Sequence, residues 1–499
     1  MISFFKKQFH LAPVFIFILI TTMVLPAQAG HLSPEMIKEY SSMDPFSFIL
    51  MEFGFIVMLA LIGHMVSRQY QLPEMLGELM IGVLAGNILY WIDLSPVFYM
   101  LMHLGDASEI FKSIWTSNMS VADTVAHYFT PDQPETQEFV DRLSTVFTTN
   151  QSPGLILLGV ALWIFSNFGV FFLLFKLGLE TKTEEIINAA EPLAFLVSAT
   201  GTFVPFFLGL GAGLWLLPEA STSMHIFIAA ALCTTSAVAT TRIFTRLNRQ
   251  QSREARLVIH AAFLDDIFGM FFLSYIVNIV LGDTLNIAEI IALLFYSGVV
   301  FIGIIMLGKW LIRQLPELHQ YDELHIRILL PIIVVVMVSW LADSLGIGII
   351  SSSFIAGMIL NTMPDKEGLI KDLIVPLEKI FAPVFFVFVG MQVNLQLLIK
   401  PEILGLTIVF LIVAVAGKIA AGYVTRKNIN HLAVGLGMIP RGEAVLIFIS
   451  IGKILSVIDD TMFSVITIIV LITNFIAPWA INRLCAAKCH DDSFAVKAS

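Results

Sequence analysis

Charged side chains are scarce in this 499-residue chain, at 13% Asp, Glu, Lys and Arg, where a soluble domain carries roughly a quarter. With 57% hydrophobic residues and a mean hydropathy of +0.87, that deficit excludes a soluble enzyme. Cysteine is nearly absent as well. Cys233 falls inside a predicted helix and Cys485 and Cys489 near the C-terminus, so no disulfide framework is expected. Cys485, Cys489 and His490 have the makings of a small metal clip, although short clusters of this kind are usually incidental. No TVGYG-like segment is present to build a carbonyl-lined filter, which argues against a potassium channel. The net charge of -10 bears on solubility and steering, not on fold, and no nucleic acid partner is expected.

What the chain has in abundance is apolar runs of about 20 residues, the length that crosses a hydrocarbon core. They recur from Phe46 almost to the C-terminus and predict an all-α membrane domain over residues 46–483 with about 13 transmembrane helices. Their centres fall near residues 56, 82, 164, 202, 232, 270, 298, 335, 354, 388, 412, 442 and 472. Residues 1–29 read as a signal peptide, with Lys6 and Lys7, an apolar stretch Leu11 to Leu25, and the small-x-small site Ala27-Gln28-Ala29. Residues 30–45 are then an external N-terminal segment. The polar stretch 95–152 is too long for an unstructured connection and is expected to fold as a small external insertion. Residues 484–499 are expected to be a short cytoplasmic tail without a soluble regulatory domain.

Loop charges set the orientation. Alternating the loops from an external N-terminus places most Lys and Arg on one side, among them Arg242, Arg246, Arg249, Arg253, Arg256, Arg426 and Lys427. After the first span the other side keeps Lys112, Arg142, Lys400 and Lys453, so the N-terminus is expected outside and the C-terminus in the cytoplasm. A multi-pass protein of the bacterial inner membrane, in contact with its lipid, is the expectation.

Against this apolar background a few charges lie deep in predicted spans, where each costs about 2.5 to 3.5 kcal/mol even on the forgiving insertion scale. Asp265 and Asp266 sit in Ala261-Ala262-Phe263-Leu264-Asp265-Asp266-Ile267-Phe268-Gly269. Successive helical positions point about 100° apart, so the two carboxylates cannot share one role. One can face a cavity while the other turns towards a neighbouring helix. A carboxylate there is both a hard-oxygen ligand for a small cation and a proton acceptor, so proton and cation would compete for one site. Lys418, in Ala416-Gly417-Lys418-Ile419, needs an acidic partner, either Asp265 or Asp266, unless it snorkels to the cytoplasmic edge.

Two segments look like helix breaks. Gly435-Leu436-Gly437-Met438-Ile439-Pro440-Arg441-Gly442-Glu443 puts a proline, three glycines and a pair of opposite charges into an apolar span. Such backbone is tolerated at membrane depth only where protein or a cavity surrounds it. Cys233-Thr234-Thr235-Ser236-Ala237 is dense in hydroxyls that can satisfy freed backbone groups or coordinate a cation. The first break precedes the span bearing Asp265 and the second follows the span bearing Lys418. Two six-span halves with a linking span near 298 would account for this, the pattern of inverted repeats with two crossing discontinuous helices.

Seven motifs carry a family resemblance in order and spacing: Leu72-Pro73-Glu74-Met75-Leu76-Gly77-Glu78, Leu177-Gly178-Leu179-Glu180, Thr235-Ser236-Ala237-Val238, Leu264-Asp265-Asp266, Phe354-Ile355-Ala356-Gly357, Phe385-Phe386-Val387-Phe388-Val389-Gly390-Met391 and Gly437-Met438-Ile439-Pro440-Arg441-Gly442-Glu443. The chain resembles the cation:proton antiporter-2 branch of the sodium/proton exchanger superfamily over nearly all of residues 46–483. The resemblance implies a homodimeric, elevator-type antiporter that exchanges a monovalent cation for protons, with no cofactor beyond the transported ions; sodium, lithium and potassium all take oxygen ligands, and sodium is expected before potassium. It assigns ion and proton binding to Asp266 and pairs Asp265 with Lys418. Thr235 and Ser236 would complete the site, and Pro440, Arg441 and Glu443 would steady the unwound helices. Two acids with a lysine imply electrogenic exchange. Two rivals fit less well: a potassium efflux channel or transporter, because a channel would need a filter that the sequence lacks, and an intramembrane aspartyl protease, which needs its acids on separate helices.

Overall fold

The computed structural model describes residues 45–70, 72–91, 152–181, 192–249, 251–281, 302–310, 324–345, 349–361, 369–426, 428–455 and 457–492, with 296, 299 and 300 besides. All regular structure among them is helical. Six of the described helices hold stretches long and apolar enough to cross a membrane, Glu52–Tyr70, Gly159–Glu180, Pro192–Leu216, Ile370–Met391, Pro401–Tyr423 and Asp460–Leu484. The signal peptide, residues 30–44, residues 95–151 of the insertion and most of the span near 298 lie outside the described residues.

The chain divides into two units. The first takes the described residues up to Asn167 and returns for Pro383–Leu395. In it α1 (Pro45–Tyr70) and α2 (Glu74–Trp91) form a hairpin. Ser67 closes it, its Oγ accepting the Gly77 N–H at 2.9 Å and donating to the Pro73 carbonyl at 3.0 Å. A methyl group added at Gly63 would strike the Gly77 carbonyl and one at Gly82 the Val387 carbonyl. Without a hydrophobic drive between helices in lipid, this backbone-to-backbone approach is what holds them. Asn87 finishes the unit, donating to the carbonyls of Val83 at 2.8 Å and Val393 at 2.7 Å and accepting from the Leu395 N–H at 2.9 Å.

The second unit takes Phe168–Ala382 and residues from Gln396 on. Within it, residues of α3 (Ser152–Glu180) pack on α9 (Ile349–Leu360) glycine to glycine, because a side chain at Gly178 would meet the Phe354 carbonyl and one at Gly357 the Phe175 carbonyl. Asn361 then donates to the carbonyls of Leu179 and Thr181 at 2.7 and 2.9 Å. α8 (Leu324–Ser344) precedes α9, and α10 (Leu369–Met391) follows it.

The heart of this unit is a pattern stated twice. α4 (Pro192–Leu216) leads to a helix in two pieces, α5 (Thr222–Ala231) and α6 (Ala237–Arg246), and then to α7 (Arg253–Leu281). After the short α11 (Leu395–Ile399), α12 (Pro401–Tyr423) leads to α13 (His431–Gly437) and α14 (Glu443–Ile454), and then to α15 (Asp460–Asp492). Whole, broken, whole is the order both times. The helices packed around the breaks touch through small residues: Gly417 of α12 lies against Pro205 of α4 and Gly422 against the His431 carbonyl.

One boundary differs from the sequence reading. The span centred near 388 runs from Leu369, because the charges of its first half are absorbed within the fold: Glu378 accepts Lys176 at 3.1 Å. The last span ends at Leu484, beside the expected Arg483, while its helix continues to Asp492, since the sequence after Arg483 offers neither Pro nor Gly to stop it.

Candidate functional site

The site is built where the two broken helices cross. α5 ends at Ala231 and α6 begins at Ala237, its N-cap Ser236 accepting the Ala239 N–H through its side chain at 3.2 Å. α13 ends at Gly437 and α14 begins at Glu443, with Gly442 as its N-cap. The two breaks satisfy each other. The Ser236 N–H donates to the Pro440 carbonyl at 2.8 Å. The Thr240 hydroxyl donates to the Gly437 carbonyl at 3.0 Å, and that of Thr235 reaches the Met438 carbonyl at 3.0 Å. Position 442 must be glycine for space, because a Cβ there would lie 2.6 Å from both Cβ and Oγ of Ser236.

Arg441 ties the crossing together. Its guanidinium, fully buried, donates to the carbonyls of Ala231 and Thr234 at 3.4 Å and of Ala414 at 3.3 Å. The first two belong to the end of α5 and to its break, where carbonyls are left over by the missing turn. Glu443, for which the sequence offered Arg441 as a partner, takes none of these bonds. It stands in the first turn of α14 among the charges of Arg242, Glu378 and Lys176. Asn474 of α15 donates to the Arg441 carbonyl at 2.5 Å and to that of Val470 at 2.9 Å.

Asp265 and Lys418 meet beside this crossing. Lys418 Nζ lies 2.7 Å from Asp265 Oδ2, and neither side chain has any solvent exposure. The Thr235 hydroxyl reaches the same oxygen at 2.8 Å. The other oxygen, Oδ1, accepts Ser198 Oγ at 2.7 Å and Thr202 Oγ1 at 2.9 Å. Ser198 and Thr202 stand one helical turn apart on α4 and so present the same face. A buried ion pair survives only when its remaining lone pairs and protons are met, and here hydroxyls meet those of the carboxylate.

Asp266 has a different environment. It is partly exposed, it accepts the backbone N–H of Ala237, and Glu443, Asp265 and Lys418 are the charges that act on it. Ala237 is the first residue of α6, so this carboxylate sits at a helix N-terminus, where the unsatisfied N–H groups favour negative charge. The two acids, adjacent in sequence, are thus separated in role by the turn of the helix. One is enclosed and fully bonded, and the other keeps partial exposure.

The structure therefore brings Asp265, Lys418 and Thr235 into direct contact, sets Asp266 at the head of α6, and puts Ser236, Pro440 and Arg441 in the crossing itself. Ser198, Thr202 and Asn474 escaped the sequence reading. Ser and Thr in apolar helices most often bond back to their own turn, and the spacing of 198 and 202 is the one signal that could have paired them with an acid elsewhere.

Comparisons with known proteins agree in direction. The family model described as sodium/hydrogen exchanger, transmembrane, matches residues 143–487. The high-affinity Na(+)/H(+) antiporter NhaS3 of Synechocystis sp. is 31% identical over 425 residues, covering 84% of this chain and 85% of its own. The Na(+)/H(+)-K(+) antiporter GerN of Bacillus cereus is 28% identical over 331 residues, covering 65% and 83%. Among solved structures, the sodium proton antiporter MjNhaP1 of Methanocaldococcus jannaschii shares the fold, with a TM-score of 0.57 at 14% identity, covering 88% of this chain and 98% of that one.

Proposed function

The chain belongs to the sodium/hydrogen exchanger family, a family of transporters and not of enzymes, and on that premise we propose that it exchanges sodium ions for protons across the bacterial inner membrane. The observation that carries this reading is the contrast at residues 265 and 266: an enclosed acid–lysine pair at 2.7 Å beside a partly exposed acid at a helix N-terminus. Asp266 takes the cation and the proton in turn. Asp265 stays with Lys418, whose charge repels an arriving cation and so makes occupancy of Asp266 sensitive to that pair. Thr235 and Ser236 stand close enough to the crossing to add oxygen to the site. Pro440 and Arg441 keep the breaks open, and Glu443 places a further negative charge on the approach to Asp266.

In this reading the exchange is electrogenic, because the site holds two acids and a lysine. The N-terminus is outside and the C-terminus cytoplasmic, the protein works as a homodimer by an elevator motion, and no cofactor takes part. Potassium is the second reading for the cation, favoured by the relative GerN, whose name couples sodium and potassium. In proteoliposomes, sodium-driven proton movement should speed up or slow down with an imposed membrane potential according to its sign. Indifference to the potential overturns the electrogenic reading, and exchange with potassium at sodium-like strength overturns the choice of ion.

A further inference from the structure

The two oxygens of Asp265 are held in unlike ways. An ionised carboxylate offers about four lone-pair sites, and four donor groups surround this one. At Oδ2 the bonding is negotiable. Thr235 has one hydroxyl proton for two acceptors, Asp265 Oδ2 at 2.8 Å and the Met438 carbonyl at 3.0 Å, and Lys418 is the other donor. At Oδ1 it is not. Ser198 and Thr202 are both buried, and among the described residues the Asp265 oxygen is the only acceptor either hydroxyl reaches.

We propose that Ser198 and Thr202 are positioning residues for cation binding: by pinning Oδ1 they fix the direction in which Oδ2 holds the Lys418 ammonium, and so the distance of that charge from Asp266. This rests on the reading of Asp266 as the transport site. Fixed at one end, Asp265 keeps Lys418 on its own side of α7. With Oδ1 released, the carboxylate turns, the ammonium moves with it, and a positive charge nearer Asp266 weakens cation binding.

The test is the sodium dependence of exchange in proteoliposomes. In Ser198→Ala/Thr202→Val the KM for sodium should rise about tenfold, equivalent to about 1.4 kcal/mol, because only part of what the two hydrogen bonds contribute to Asp265 is passed on to the neighbouring site. Maximal turnover should stay within about twofold. Thr202→Ser, which keeps the hydroxyl, should keep the wild-type KM. Ser198→Ala alone serves if the double variant does not fold, with a rise of about threefold. An unchanged KM in a folded hydroxyl-free variant overturns the proposal. So does a Thr202→Ser variant as impaired as Thr202→Val, since packing alone would then explain both. Exchange that survives Asp266→Asn overturns the underlying reading instead. Wild-type KM in the hydroxyl-free variants, with Asp266→Asn inactive, overturns this inference alone.

Discussion

The two helix breaks that cross in the second unit do opposite work. The first, between α5 and α6, lends side chains: Thr235 reaches the Asp265 carboxylate and Ser236 caps the next helix. The second, between α13 and α14, lends backbone: the carbonyls of Gly437, Met438 and Pro440 accept from the first. Its side chains serve structure, with Arg441 bridging three carbonyls and Gly442 leaving room for Ser236. A crossing of two unwound segments in a membrane must satisfy every freed backbone group internally. Assigning that duty to one break frees the hydroxyls of the other to face a carboxylate.

The comparison can be broken most forcefully from the first side. Lys418→Ala leaves Asp265 buried with hydroxyls alone, and breaking a buried pair in this way costs about 3–5 kcal/mol. Thermal unfolding of the detergent-solubilised variant should fall accordingly, towards the low end because three hydroxyls remain. Next comes the second break. Arg441→Lys keeps the charge but cannot serve three carbonyls from a planar fork, so a loss of about 2 kcal/mol is expected. A variant as stable as wild type would show that the carbonyls need no guanidinium.

Gly442→Ala sharpens the steric half of the argument. The added methyl must displace Ser236, at a cost of about 1–3 kcal/mol, and exchange should weaken with stability because the first break moves. If only stability fell, the two breaks would be less tightly coupled than their hydrogen bonds imply. The smallest effect is expected at Thr240→Val, which removes one neutral bond to the Gly437 carbonyl and should cost about 1 kcal/mol without changing the KM for sodium.

Much of this fold was legible in the sequence, for identifiable reasons. Apolar stretches of membrane length located nearly every described helix, because lipid permits little else. The breaks were visible as Pro440 with its neighbouring glycines and as the hydroxyl run at 234–236. What length and hydropathy could not show was where charges pair inside the fold, so the helix from Leu369 was centred too late. The motifs were legible as a pattern but not as jobs. The glycines at 178, 357, 82 and 390 prove to be places where backbones touch.

At the site, adjacency fixed that Asp265 and Asp266 differ, since 100° separates them on a helix, but it did not say which faces Lys418. That choice depends on the rotation of α7 against α12, which only tertiary packing sets. Ser198 and Thr202 were illegible for the same reason. Beyond their spacing, nothing in α4 announces that these hydroxyls point at an acid 67 and 63 residues further on.

The central claim is that Asp266 is the exchanging group and Asp265 its fixed neighbour. The most direct measurement is dissipation of a pH gradient in everted membrane vesicles on adding sodium, comparing wild type with Asp266→Asn expressed to the same level. The account predicts rapid dissipation by the wild type and none by the variant. Full sodium-dependent dissipation by Asp266→Asn would contradict it.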